Sequence, residues 1–109
     1  MITALKGAAF EKEIKEAGLV IVQFRTEWNG GCQIIAPIYE MLSKQFASEA
    51  TFFTIDTEEE KAIADKYRIK ELPAILIFKT GELIDHIAGL KPKNVLRKKI
   101  EDAIAGDTI

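Results

Sequence analysis

The sequence has one cysteine, Cys32, and one histidine, His86, in 109 residues. A single thiol cannot close an intramolecular disulfide, nor can it supply a zinc site built from several thiolates. Such sparing use of cysteine fits a reducing compartment. Neither sign of charge dominates, since 15 basic residues against 17 acidic ones leave a net charge of −2. Without a clustered positive field, nucleic acid is not an expected partner. No apolar run approaches the roughly 20 residues needed to span a bilayer, so no membrane partner is expected. The opening MITALKGAAFEKEI has no continuous apolar stretch and acquires charge at Lys6. It does not read as a secretory leader, and the cytoplasm is the default location. Internal repeats, low-complexity tracts and linkers are also missing, which points to one domain over residues 1–109, near the common domain size. A chain of this length buries about 60 to 70% of the surface its unfolded form exposes, enough for a core without disulfides or a structural metal.

What is present is a regular alternation of patterns. Ile2 to Leu5 is a short apolar opening that suits an edge strand. From Gly7 to Ala17, Ala9, Phe10, Ile14 and Ala17 recur at helical spacing opposite Glu11, Lys12, Lys15 and Glu16, and Gly18 follows as a helix-ending glycine. The run Leu19 to Phe24 is nearly all apolar and β-branched, as expected of a central strand covered on both faces. Ile34, Ile35, Ile38, Leu42, Phe46 and Ala47 then return to helical spacing, with Pro37 expected to kink the helix. Thr51 to Ile55 reads as a second core strand. Glu58 to Glu60 lead into a short helix carrying Ala62, Ile63, Ala64 and Tyr67, with the acids expected in its first turn. Ala74 to Phe78 is a third core strand, Lys79-Thr80-Gly81-Glu82 a hairpin turn, and Leu83 to Ala88 its partner strand, broken by Gly89. A last amphipathic helix runs from about Pro92 to Ala105, with Val95, Leu96, Ile100 and Ile104 inward.

The order β-α-β-α-β-α-β-β-α implies two parallel strands joined by a helical crossover and two antiparallel strands joined by a tight turn. The fold class is therefore α/β, a mixed central sheet flanked by helices on both faces. The stretch Glu27-Trp28-Asn29-Gly30-Gly31-Cys32-Gln33 lies where the first core strand gives way to a helix, a seam at which α/β proteins place their chemistry.

These residues resemble the thioredoxin family. Val22-Gln23-Phe24 followed by Glu27-Trp28-x-Gly30-x-Cys32 is similar to its strand and active-site turn, and Ala36-Pro37 to the kinked proline of its next helix. Leu72-Pro73-Ala74, then Ile77-Phe78-Lys79-x-Gly81-Glu82, resembles its cis-proline turn and hairpin, and Gly89 matches a family glycine. The resemblance runs from about Phe10 to Ile104. It implies the thioredoxin fold, thiol–disulfide chemistry and protein or peptide clients. No cofactor and no metal is expected, and nothing in the sequence specifies an oligomeric state.

The departures bear on that chemistry. The family carries two cysteines in a C-x-x-C turn, and here the first position is Asn29. The central Gly-Pro of the turn is Gly30-Gly31. By the same resemblance, the buried aspartate behind the disulfide corresponds to Gln23, its neighbouring lysine to Phe52, and the aromatic after the strand to Arg25. Dithiol exchange needs one exposed thiolate to attack and a second thiol to resolve the mixed disulfide. Cys32 occupies the resolving position, one helical turn inward, where a free cysteine commonly serves as a small buried hydrophobe. Asn29 occupies the attacking position and is expected to act as a helix N-cap.

Trp28 and Pro73, with Leu72 and Gly89, correspond to a shallow groove in which an extended peptide pairs as an added strand. Three functions follow. One is a thioredoxin-like protein limited to single-thiol chemistry at Cys32. Another is a binding module that keeps the groove around Trp28 and Pro73. The third, an iron–sulfur or glutathione-linked monothiol protein, is disfavoured because its relatives keep the first cysteine of the turn. His86, with no motif nearby, reads as a solvated strand residue. Lys91, Lys93, Arg97, Lys98 and Lys99 read as a polar helix face.

Overall fold

The computed structural model describes residues 2–106. Its elements in chain order are β1 (Ile2–Ala4), α1 (Gly7–Glu16), β2 (Leu19–Arg25), α2 (Gly30–Gln45), β3 (Thr51–Asp56), α3 (Lys61–Lys66), β4 (Ala74–Lys79), β5 (Glu82–Ala88) and α4 (Lys93–Ala105). The five strands form one mixed sheet in the order β1-β3-β2-β4-β5. The first three run parallel, and β4 pairs antiparallel with both β2 and β5. The apolar run of β2 thus becomes a central strand, with Val20, Ile21, Val22 and Phe24 fully buried, because helices cover both of its faces.

Alternation along the strands sends side chains to two separate cores. Ile21, Phe52, Ile75 and Ile77 meet Ile35, Tyr39 and Leu42 of α2 and Leu96 and Ile100 of α4. Val20, Val22, Phe53, Leu76 and Phe78 meet Phe10 and Ile14 of α1 and Ala64 of α3 on the opposite face. The hairpin turns through Thr80 and Gly81, both at positive φ. Between Ile77 and Phe78 the β4–β5 register shifts, the signature of a bulge that adds one residue to β5.

Several sequence expectations are corrected. Helix α2 begins at Gly30, with Asn29 as its N-cap. Ile34 and Ala47 share the helical spacing of the core residues, yet Ile34 is exposed and Ala47 lies beyond the helix end; Tyr39 and Ser43 take buried positions. Tyr39 is admitted because its hydroxyl reaches the main-chain oxygens of Phe53 at 2.7 Å and Ile21 at 3.0 Å. On α4, Ala103 is buried where Ile104 was expected, a rotation of one residue.

Glu58 and Glu59 precede α3 rather than forming its first turn, and Glu60 is its N-cap residue. They are held elsewhere: Glu60 Oε1 accepts from the Gly7 N–H at 2.9 Å, and Glu59 pairs with Lys6 at 3.0 Å. Both contacts tie the chain before α3 to the start of α1.

Candidate functional site

Sheet register assembles the site. Ala74 pairs with Phe24 on one side and with Ala88 on the other. The residues after Phe24, before Ala74 and after Ala88 therefore emerge at one end of the sheet. That places the turn from Thr26 to Gly31, the Leu72–Pro73 peptide and Gly89 side by side. The Leu72–Pro73 bond is cis, and the Pro73 carbonyl accepts from the Gly89 N–H at 2.8 Å. The main-chain groups of Leu72 make no hydrogen bond among the described residues.

The turn opposite is built around the start of α2. Asn29 has extended backbone, φ −85° and ψ 122°, and its Oδ1 accepts from the Cys32 N–H at 2.9 Å. This satisfies one of the donors that a helix N-terminus leaves unpaired. The Asn29 carbonyl takes the Gln33 N–H at 3.1 Å. The Gln33 side chain returns to the Glu27 carbonyl at 3.0 Å, closing the loop that carries Trp28. Gln33 was not singled out from the sequence, because nothing in its spacing says that it reaches back six residues.

Gly31 is the point of closest approach. A Cβ there would lie 3.0 Å from Pro73 Cδ and 3.1 Å from Asn29 Oδ1, tighter than ordinary van der Waals contact. A side chain at this position would require Pro73 or the Asn29 side chain to give by a few tenths of an ångström. Gly30, by contrast, faces open space. Gly89 is held at φ +82°, and a Cβ on it would meet the Glu71 carboxylate, whose Cδ stands 3.0 Å away. Glu71 was not foreseen as a rim residue, since only the fold brings it over Gly89.

The structure thus brings Asn29, Gly31, Leu72, Pro73 and Gly89 together. Trp28 stands on the rim with 79% of its surface exposed, and Cys32 lies inside with 0%. The thiol is a free cysteine sealed beneath the first turn of α2. Gln23 shares the sheet face that α2 covers. It is only 2% exposed, and its Nε2 has no hydrogen-bond partner among the described residues. Phe52, two residues along from Thr54, which pairs with Gln23, packs into the apolar core of the same face. Burial holds the Tyr39 phenol well above its ordinary value of 10.0, so this hydroxyl stays neutral. No group of three or more His, Cys, Asp and Glu able to hold a metal exists among the described residues.

A five-stranded mixed sheet whose helix N-terminus meets a cis-proline defines the scaffold of the thiol–disulfide proteins. The family model described as Thioredoxin matches residues 1–102, and the chain belongs to the thioredoxin family. It is 30% identical to Thioredoxin of Staphylococcus aureus (strain Mu50 / ATCC 700699) over 100 residues, covering 92% of this chain and 95% of that one. It is 37% identical to the chloroplastic Thioredoxin M4 of Arabidopsis thaliana over 98 residues, covering 89% of this chain and 51% of that one.

Among solved structures, Plasmodium falciparum thioredoxin superposes with a TM-score of 0.86 at 32% identity, covering 92% of this chain and 97% of that one. A structure described as the thiol resolving mechanism in yeast mitochondrial 1-Cys peroxiredoxin via glutathione/thioredoxin systems gives 0.86 at 26% identity, covering 93% and 94%. Among the described residues, no helix is long and apolar enough to cross a membrane.

Proposed function

We propose that this thioredoxin-family chain binds extended segments of client proteins in the groove between Trp28 and Pro73, and that it does not run the family's dithiol cycle. The observation that carries the reading is at the turn. The outward position holds an asparagine bonded to the Cys32 N–H, and the thiol beneath it has no exposed surface. A disulfide exchange needs a thiolate that can reach its target and a second thiol to release it; this sequence supplies one cysteine, buried. The binding half of the machinery is kept. The unpaired main-chain groups of Leu72 offer hydrogen bonds to an incoming strand, and Trp28 offers an aromatic anchor of the kind that dominates interfaces. The reading places the protein in a reducing compartment, the cytoplasm by default.

Reduction of insulin disulfides in the presence of thioredoxin reductase tests the chemical half. Turnover should be indistinguishable from the reductase alone, and robust turnover would overturn the reading. Asn29→Cys supplies the missing thiol at the helix N-terminus, where the dipole favours a thiolate. The variant should gain measurable activity over the native chain. If it gains none, Gln23, Phe52 or the Gly30-Gly31 turn also limits the chemistry.

A further inference from the structure

The basic run that opens α4 divides into two halves in the folded chain. Lys98 and Lys99 are neutralised locally, by Asp102 and by Asp85 at 3.5 Å. Lys91, Lys93 and Arg97 have no carboxylate partner among the described residues. The Lys93 ammonium rests instead on the Met41 sulfur, 2.9 Å away, a weak acceptor for a cation.

Lys91 lines an apolar groove of about 380 Å³ together with Ile34, Ile38, Leu90 and Pro92, and the Lys93–Met41 contact brings a second such cation to the same stretch of α2. Ile34, Ile38 and Met41 follow i, i+4, i+7 spacing and form one stripe along α2. The ends of that stripe are open, Ile34 being 58% and Met41 45% exposed, while Ile38 between them rests partly against the α2/α4 core; across from it Leu90 is 46% exposed. The rigid walls are a helix and a proline-braced loop, and the volume falls in the range of small binding pockets, about 300–1,000 Å³.

We propose that this groove is a second docking site, distinct from the one at Trp28 and Pro73, and that its occupant is a segment of a partner protein carrying apolar side chains flanked by carboxylates. The apolar floor would take the side chains, and Lys91 and Lys93 would take the acids. Complementary charge at a rim chiefly sets partner choice and encounter rate, so the groove should discriminate between apolar segments by the sign of their flanking charges. The site uses neither Cys32 nor the open edge at Leu72, so it stands or falls independently of the function proposed above.

The test uses two capped synthetic peptides with the same leucines at i and i+4, one with glutamates flanking them and one with lysines, titrated into the full chain at low salt and followed by amide NMR shifts. The glutamate peptide should shift Ile34, Ile38, Leu90 and Lys91, and should bind about tenfold or more tightly than the lysine peptide. Its affinity should fall as salt is raised. Ile34→Asp, at an exposed position, should remove the binding. The double change Lys91→Glu and Lys93→Glu should reverse the peptide preference, with amide spectra elsewhere unchanged.

Equal affinity for the two peptides, shifts confined to Trp28 and Leu72, or no shifts with either peptide would overturn the proposal. So would sedimentation showing a native dimer that Ile34→Asp dissociates, because the occupant would then be a second copy of the chain.

Discussion

On the α1/α3 side of the sheet, Phe10, Tyr67 and Phe78 close on one another with ring centroids 5.6 to 5.9 Å apart, two of the three pairs edge to face. Phe24 joins them at 6.5 Å from Tyr67. This face is an aromatic core in the ordinary sense, stabilised by buried area and ring geometry. On the α2/α4 side, Tyr39 and Phe52 also meet edge to face, 5.5 Å apart, but the packing surrounds polar groups that a pure core would not choose. Tyr39 reaches main-chain oxygens, Gln23 leaves an amide nitrogen unpaired, and Cys32 lies sealed under the helix start. Both the turn at Asn29 and the apolar groove along α2 also belong to this side. Both faces pack a core of the fold; the α2/α4 face differs in also burying polar groups and in carrying the turn at Asn29.

Phe10→Ala should break the first face outright. It removes a ring with 2% exposure from the three-ring cluster, and a loss of about 3–5 kcal/mol is expected in denaturant unfolding. A loss below about 1 kcal/mol would mean that the aromatic cluster contributes little to the fold. Tyr39→Phe on the opposite face keeps the ring and deletes the hydroxyl that meets Ile21 and Phe53. It should cost about 1–2 kcal/mol, clearly less than Phe10→Ala in the same titration. Asn29→Ala removes the cap and should cost about 1 kcal/mol, whereas Asn29→Asp, which can still accept from Cys32 and adds charge at the positive end of α2, should be nearly neutral at pH 7. Equal destabilisation by both changes would show that the cap bond contributes little.

Gln23→Met sharpens the comparison by its sign. An unsatisfied buried amide is replaced by an apolar side chain of similar shape, so stability should stay level or rise by up to about 1 kcal/mol. A clear loss would show that the amide is satisfied in solution. The smallest effect concerns the ion pair that bridges α1 and α3. Lys66, hydrogen-bonded to Glu11 at 2.7 Å, holds that carboxyl below its ordinary 4.5. A lowered folded value means that the contribution is present above pH 4.5 and fades as pH falls through the lowered value. Glu11→Gln should therefore flatten the acid limb of the stability profile slightly and leave pH 7 stability almost unchanged, since the pair is exposed.

Most of the architecture was legible because the strands are continuous β-branched runs and the helices carry a clear 3.6 period. Strand order was not, since the pairing of β4 with β2 depends on a long-range register that no local pattern encodes. Tyr39 escaped notice as a core residue because its place depends on main-chain oxygens that only the assembled sheet supplies. Ile104 was read as inward from its amphipathic spacing, yet it sits just off the buried stripe of α4, as Ile34 does on α2.

At the site, Asn29, Cys32, Trp28 and Pro73 could be singled out from their spacing and their likeness to the family. The closeness of Gly31 to Pro73, and of Glu71 to Gly89, is a property of side-by-side loops. The division of the α4 cations into paired and unpaired halves likewise needed the positions of Asp85 and Asp102.

The central claim is that the turn buries its one thiol behind a helix cap. It is tested most directly by labelling Cys32 with an aromatic disulfide reagent, comparing the native chain with the chain unfolded in denaturant. The account predicts that the native thiol stays unlabelled over the time in which the unfolded chain reacts completely. Prompt, stoichiometric labelling of the native chain would contradict it, because a reachable Cys32 would return the site to thiol chemistry.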